Sequence, residues 1–166
     1  MGTANLMQRC RRAIAMVLSA VLLTGCEGIT TGTEIANIAL QPAEGGVPGS
    51  YLPTQFTLTP EMNPVAFNLR AEFTQDPAES GKWNAYQVAL THNGAPVATR
   101  IVNINHPQTN AQGSAPPPSA TIHTLFYVDV QNSGEHELTI TAAQPAAVTL
   151  REPRVDARRN VQRPPK

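Results

Sequence analysis

Cysteine is almost absent from this chain. Only two of its 166 residues are cysteines, Cys10 and Cys26, and both lie near the amino terminus. The sequence after Cys26 therefore contains no thiol. This excludes a disulfide framework, a zinc–thiolate site and a cysteine nucleophile from any domain that the later residues form.

The short motifs of common catalytic chemistry are missing as well. The sequence has no Gly-x-Ser-x-Gly elbow, no phosphate-binding loop and no glycine-rich dinucleotide fingerprint. Its four histidines are more than ten residues apart, so none shows a metal-ligand spacing such as i, i+4. We predict a protein that is not an enzyme and that uses no metal or other cofactor.

The amino terminus, by contrast, carries a clear pattern. Arg9, Arg11 and Arg12 form a cationic segment, and an uninterrupted apolar run follows over 13–23. That run is too short to span a bilayer, which takes about 20 apolar residues. A charged start followed by a short apolar core is typical of a secretory signal peptide.

The end of this segment is more specific. Leu23-Thr24-Gly25-Cys26 resembles the lipobox of bacterial lipoproteins at every position. The resemblance implies that residues 1–25 are a signal peptide and that Cys26, as the first mature residue, is linked to a diacylglycerol and acylated. Two or more chains suffice for lasting attachment to a lipid bilayer. Glu27 stands where lipoproteins of the inner membrane tend to have Asp, which favours the outer membrane facing the periplasm. A buried cysteine ending an uncleaved apolar helix is the disfavoured alternative.

Charge is distributed unevenly along the rest of the chain. Residues 27–149 carry three basic side chains against ten carboxylates, whereas residues 150–166 carry six basic side chains against two acidic ones. We expect this basic segment to be solvated or to fold back on the acidic region, with attraction to anionic lipid as the second interpretation. Nucleic acid is not an expected partner, because a secreted lipoprotein rarely meets any.

Most of the remaining sequence shows the period-two alternation of half-buried strands, most clearly over Val65–Thr74. Asn93-Gly94, between two such segments, is the strongest short-range signal for a type I′ hairpin. Seven or eight short segments without a helical pattern predict an all-β fold, a single antiparallel β-sandwich that is immunoglobulin-like in architecture. A partly closed barrel is the alternative.

The predicted organisation places a lipidated Cys26 and a flexible tether at 26–34, the sandwich at 35–152 and a basic, disordered tail at 153–166. The segment 106–120 has no apolar period and contains three consecutive prolines. We predict a mobile loop crossing between the sheets; a polyproline II segment that docks in an aromatic groove is the minority interpretation.

The strand predicted over 122–132 has apolar residues on both faces. Strict alternation puts Leu125 and Tyr127 on the outer face, either as an exposed patch or beneath the preceding loop, and the two interpretations are equally favoured. Exposed apolar patches mark partner sites, and tyrosine is enriched at interfaces. Trp83, at the start of another strand, is a further candidate for partner binding.

Polar clusters give weaker signals. Glu72, Asp76 and Glu79 lie close together in sequence, and carboxylates serve in glycoside hydrolysis or calcium binding, but a solvated acidic edge is favoured. His123 and His136 could meet across neighbouring strands, although two solvent-facing histidines are favoured.

The sequence thus predicts a non-catalytic lipoprotein of the cell envelope that acts as an assembly or accessory protein through protein–protein contacts. The alternative is a module that binds a glycan, a metal or a lipid through its acidic loops.

Overall fold

The computed structural model describes residues 31–74, 76–106 and 120–164. These residues form eight strands and two short 3-10 turns, Pro60–Met62 and Pro77–Glu79. The strands are β1 (Thr33–Ala39), β2 (Thr54–Leu58), β3 (Val65–Phe73), β4 (Asn84–His92), β5 (Ala95–Ile104), β6 (Ala120–Val128), β7 (Gly134–Ala142) and β8 (Leu150–Arg159). None of the described residues belongs to a helix long and apolar enough to cross a membrane.

The strands form two four-stranded antiparallel sheets, in the orders β1-β8-β3-β6 and β2-β7-β4-β5. This confirms the predicted all-β antiparallel sandwich. The paired strands are nested: β1 pairs with β8, β2 with β7, β3 with β6 and β4 with β5. The chain thus resembles one long hairpin, with its turn between β4 and β5, that is rolled into two layers. That order is a jelly roll. The likeness to an immunoglobulin sandwich extends to the two-layer architecture and not to the strand order.

The core lies between the sheets and follows from the alternation of the sequence. Phe67 of β3 packs edge-to-face on Phe56 of the opposite sheet, with 5.0 Å between ring centroids, and on Phe126, at 5.5 Å. The type I′ hairpin is confirmed, because Asn93 and Gly94 have φ angles of 50° and 77° between the paired strands β4 and β5.

The two ends of the sandwich differ. β1 begins and β8 finishes at the same end, which we call the terminal end, where Thr33 pairs with Arg159. Three short connections lie there, at 59–64, 93–94 and 129–133. At the opposite end, which we call the loop end, lie the longer connections 40–53, 76–83 and 143–149, and β5 ends and β6 begins there as well. The chain therefore enters and leaves the sandwich at the end opposite its long loops.

The carboxy-terminal region is not a disordered tail as far as the structure describes it. β8 lies between β1 and β3, and its Val155 and Ala157 belong to the core. Val161 is also buried, and its backbone N–H donates to the carbonyl of Pro64. The prediction of a disordered tail from residue 153 is therefore wrong. The apolar pattern was missed because Val155 and Ala157 are small and lie between charged residues. The tether predicted over 26–34 is also too long, since β1 begins at Thr33.

The charges of β8 form a cluster on the outer face of their sheet. Asp156 is fully buried and accepts hydrogen bonds from Arg70 Nε at 3.1 Å and Arg158 Nε at 3.2 Å. A surface pair joins Arg163 to Asp129 at 2.7 Å. The contact of Arg163 with Asp129 supports the interpretation that the basic segment folds back on the acidic region, whereas Asp156 is an acidic residue of the basic segment itself.

Candidate functional site

Leu125 lies in the core and not on the surface. Its side chain is fully buried because the β3–β6 register shifts by one residue. Phe67 pairs with Phe126. The next residue, Asn68, pairs with Thr124, so Leu125 is the extra residue of a β-bulge. The placement of Leu125 on the outer face is therefore wrong, and this residue offers no surface to a partner.

Trp83 and Tyr127 are both half-buried and lie in different parts of the sandwich. Trp83 directly precedes β4 at the loop end and packs edge-to-face on His106, with 4.6 Å between ring centroids. Tyr127 pairs with Ala66 near the terminal end of the other sheet. The predicted partner residues thus do not form one surface, and Trp83 alone lies at the loop end.

Among the described residues, three large hydrophobic side chains are exposed. Val47 is 38% exposed and Leu52 is 50% exposed, and both lie in the connection between β1 and β2. Ile101, at 68%, lies on the edge strand β5. Exposed apolar side chains of the described chain are therefore concentrated at the loop end and along one sheet edge.

The loop end also contains a pocket of about 400 Å³. It lies between the connection 40–53, the connection 143–149 and the start of β8. Its lining consists mainly of apolar and aromatic side chains, with no charged side chain: Leu40, Pro42, Gly49, Ser50, Tyr51, Tyr86, Ala146, Val148, Thr149, Leu150 and Pro153.

Two hydrogen bonds tie the first loop to β7 and shape the pocket wall. The backbone N–H of Tyr51 donates to the carbonyl of Ile140, and Ser50 Oγ accepts from the backbone N–H of Ala142, both at 3.0 Å. Gly49 has φ = 95°, and a Cβ there would lie 2.6 Å from the Cβ of Ala146. Only glycine fits this position, which brings the two loops into contact.

A buried amide organises the polar side of the pocket. Asn84 is only 2% exposed, and its Nδ2 donates to Tyr86 Oη at 3.1 Å and to the Val148 carbonyl at 2.7 Å. Its Oδ1 accepts from the backbone N–H groups of Ala147 and Val148. One side chain thus fixes the 143–149 connection and the hydroxyl of Tyr86.

The two tyrosines of the pocket are close enough to affect each other. Their ring centroids are 6.2 Å apart. Burial is the main cause that raises the pKa of Tyr51 well above its usual range, and the neighbouring Tyr86 adds to the rise. Burial likewise raises the pKa of Tyr86, against hydrogen bonds with Tyr51 and Asn84 that lower it. Both phenols are therefore neutral at physiological pH.

The predicted acidic edge has a structural role at two of its positions. The carboxylate of Glu79 accepts from the backbone N–H and the hydroxyl of Thr149 and from the hydroxyl of Thr74. Asp76 caps the second 3-10 turn by accepting from the backbone N–H of Ala78. No group of three metal-ligating side chains occurs among the described residues.

His123 and His136 do not meet, because they lie in different sheets. His136 is almost fully buried and stacks on His92 of β4, with 4.5 Å between ring centroids. The interpretation of both histidines as solvent-facing is thus wrong for His136. At His123, burial and, second, the positive charge of Arg100 lower the pKa.

The lipobox and Cys26 lie outside the described residues, as does most of the 106–120 segment. Comparison of the chain with models of protein families, with curated proteins and with solved structures finds no match.

Tyr51 and Asn84 were not identified from sequence. An isolated tyrosine within a loop rich in Gly and Pro was the available signal for Tyr51. Asn84 gave none, because its backbone partners, Ala147 and Val148, lie more than 60 residues away.

Proposed function

We propose that the protein is a lipid-anchored, non-catalytic lipoprotein of the cell envelope that presents the loop end of its sandwich to a partner protein. The observation that carries this proposal is the position of β1. The chain enters the sandwich at the terminal end, and the longer connections that the structure describes lie at the opposite end.

The chain length sets the geometry that the proposal requires. Gly32 lies six positions after the lipobox cysteine, Cys26, so the tether reaches about 20 Å at most. The terminal end is then held near the bilayer surface. The nine residues of β3 span about 30 Å, so an upright sandwich would present the loop end about that much farther from the lipid.

The surface of the loop end supports contact with a protein. Val47 and Leu52 are exposed there, and Trp83 lies half-buried at the same end. Tryptophan is enriched at the centre of protein interfaces, and exposed apolar patches mark partner sites. The terminal end carries paired charges instead, such as Asp129 with Arg163.

Site-specific photocrosslinking in cells tests this orientation. A photoreactive amino acid replaces Val47 or Lys82 at the loop end, with Glu61 and Glu135, equally exposed at the terminal end, as matched controls. We expect one abundant protein adduct from the loop-end positions, none from the controls, and loss of the adduct with Cys26→Ala. Adducts from the terminal end alone, or no specific adduct anywhere, would refute the proposal.

A further inference from the structure

We propose that the loop-end pocket is a binding site for a neutral, mainly apolar small molecule that carries a hydrogen-bond acceptor oxygen. The oxygen accepts a hydrogen bond from the hydroxyl pair of Tyr51 and Tyr86, and the apolar part lies against Leu40, Val148 and Leu150. This inference concerns the pocket alone and does not depend on the lipid anchor or on a protein partner.

The size and lining of the pocket fit such a ligand. Its volume of about 400 Å³ falls in the range of about 300–1,000 Å³ that is usual for small-molecule sites. Apolar walls with few, fixed polar groups are the usual composition of these sites. Since no charged side chain lines the pocket, an ionic ligand would lose its hydration without gaining a counter-charge.

The number of hydroxyl protons in the pocket explains why the ligand should carry a hydrogen-bond acceptor. Tyr51 and Tyr86 have two phenolic protons between them, and their mutual interaction uses at most one. Asn84 cannot take the other, because its Nδ2 donates to Tyr86 and its Oδ1 is occupied by two backbone N–H groups. The hydrogen bonds within the described residues show no further acceptor for a tyrosine hydroxyl. One donor is therefore left in a pocket that both rings line.

Because the tyrosine pair is largely buried, its spare hydroxyl donor should favour ligands that carry an acceptor oxygen. Tyr86 is only 1% exposed, so its hydroxyl is poorly served by bulk water. A ligand oxygen would satisfy the donor, whereas a hydrocarbon of the same shape would leave it unpaired, which is unfavourable in an apolar site. The raised pKa values of both tyrosines keep the hydroxyl groups protonated and able to donate.

The test compares two probes of nearly the same shape, acetophenone and α-methylstyrene, which differ in having C=O or C=CH₂. Their binding to the chain from residue 27 onward, which retains every strand of both sheets, is followed by two-dimensional NMR. We expect shifts centred on Ser50, Tyr51 and Ala146, and about fivefold tighter binding of acetophenone, the value of roughly one net hydrogen bond.

Tyrosine-to-phenylalanine variants identify the donor. In Tyr51→Phe/Tyr86→Phe the preference for acetophenone should be lost or reversed, because its carbonyl oxygen would be buried without a donor, while Tyr127→Phe, at the other end of the sandwich, should leave it unchanged. Each single variant retains one phenolic proton and should keep the preference, so if the double variant lacks a cooperative unfolding transition, the test rests on the two probes and the position of the shifts in the unsubstituted chain. The proposal is overturned if neither probe binds, if both bind equally to the unsubstituted chain, or if the shifts lie outside the pocket.

Discussion

Replacing Asp156 by Asn removes the negative charge of a buried carboxylate while preserving the size of the side chain. Asp156 is fully buried, and its carboxylate accepts from Arg70 and Arg158 at 3.1–3.3 Å and, more weakly, from Asn68 Nδ2 at 3.5 Å. The substitution removes the carboxylate that accepts from both guanidinium groups. We therefore expect Asp156→Asn to destabilise the sandwich strongly.

The structure sets the size of the effect. Removing one partner of a buried ion pair costs about 3–5 kcal/mol. The side chains of Arg70 and Arg158 are 29% and 19% exposed, so both can regain some hydration, and the lower end of this range applies. A loss of about 3 kcal/mol is large against a total folding stability of about 5–15 kcal/mol.

Urea denaturation followed by circular dichroism measures this loss. With an m-value of about 2 kcal/mol per molar urea, the midpoint should fall by about 1.5 M. Asp129→Asn is the matched control, because Asp129 pairs with Arg163 on the surface, with 48% and 44% of the two side chains exposed. That pair should be worth less than about 1 kcal/mol. Equal midpoint shifts in the two variants would refute the account of the cluster.

Three further predictions concern single positions. Gly32→Ala should lower the free energy of unfolding by about 1–3 kcal/mol in the same urea assay, since Gly32 has φ = 83° and a Cβ would collide with the Arg159 carbonyl oxygen; an unchanged midpoint would contradict this. Asn84→Ala should cost about 2–4 kcal/mol because it leaves buried backbone groups of Ala147 and Val148 unpaired, and a loss below 1 kcal/mol would be inconsistent with that role. His123, whose folded pKa lies below its ordinary 6.5, contributes stability that is present above pH 6.5 and lost as the pH falls; melting temperatures from pH 7 to 5 should therefore fall less steeply in His123→Gln, and parallel curves would argue against it.

Local sequence patterns predicted the parts of the fold that depend on near neighbours. Alternation over Val65–Thr74 gave β3, and Asn93-Gly94 gave the central hairpin. Both features need only the local backbone preference and one buried face. Strand order was not predictable in this way, because pairing such as β1 with β8 joins residues more than 100 positions apart.

Two predictions failed for reasons that lie outside a local pattern. β8 has the composition of a polar segment, and its burial was therefore missed. The buried charge of Asp156 is compensated by Arg70 of another strand, which the sequence of β8 alone does not show. Leu125 was assigned to the wrong face because one inserted residue in β6 shifts the alternation. In each case a partner strand determines the outcome, and a single segment does not contain that information.

The pocket illustrates the same limit for the candidate site. Tyr51, Asn84 and Val148 belong to three separate segments that meet only when both sheets have formed. Tyr86 follows the alternation of β4 and is buried, but its hydroxyl partner was not foreseeable. The aromatic content of a segment predicts burial, whereas the hydrogen bonds of a buried hydroxyl depend on the tertiary structure.

Mass spectrometry of the protein isolated from its own cell envelope tests the proposed anchoring most directly. The account predicts a chain that begins at Cys26, with the mass of a diacylglycerol and a further acyl group on that residue, and recovery in the membrane fraction that Cys26→Ala abolishes. A mature chain that retains residues 1–25, or an unmodified Cys26, would contradict the proposed lipid anchor and with it the orientation of the loop end away from the bilayer.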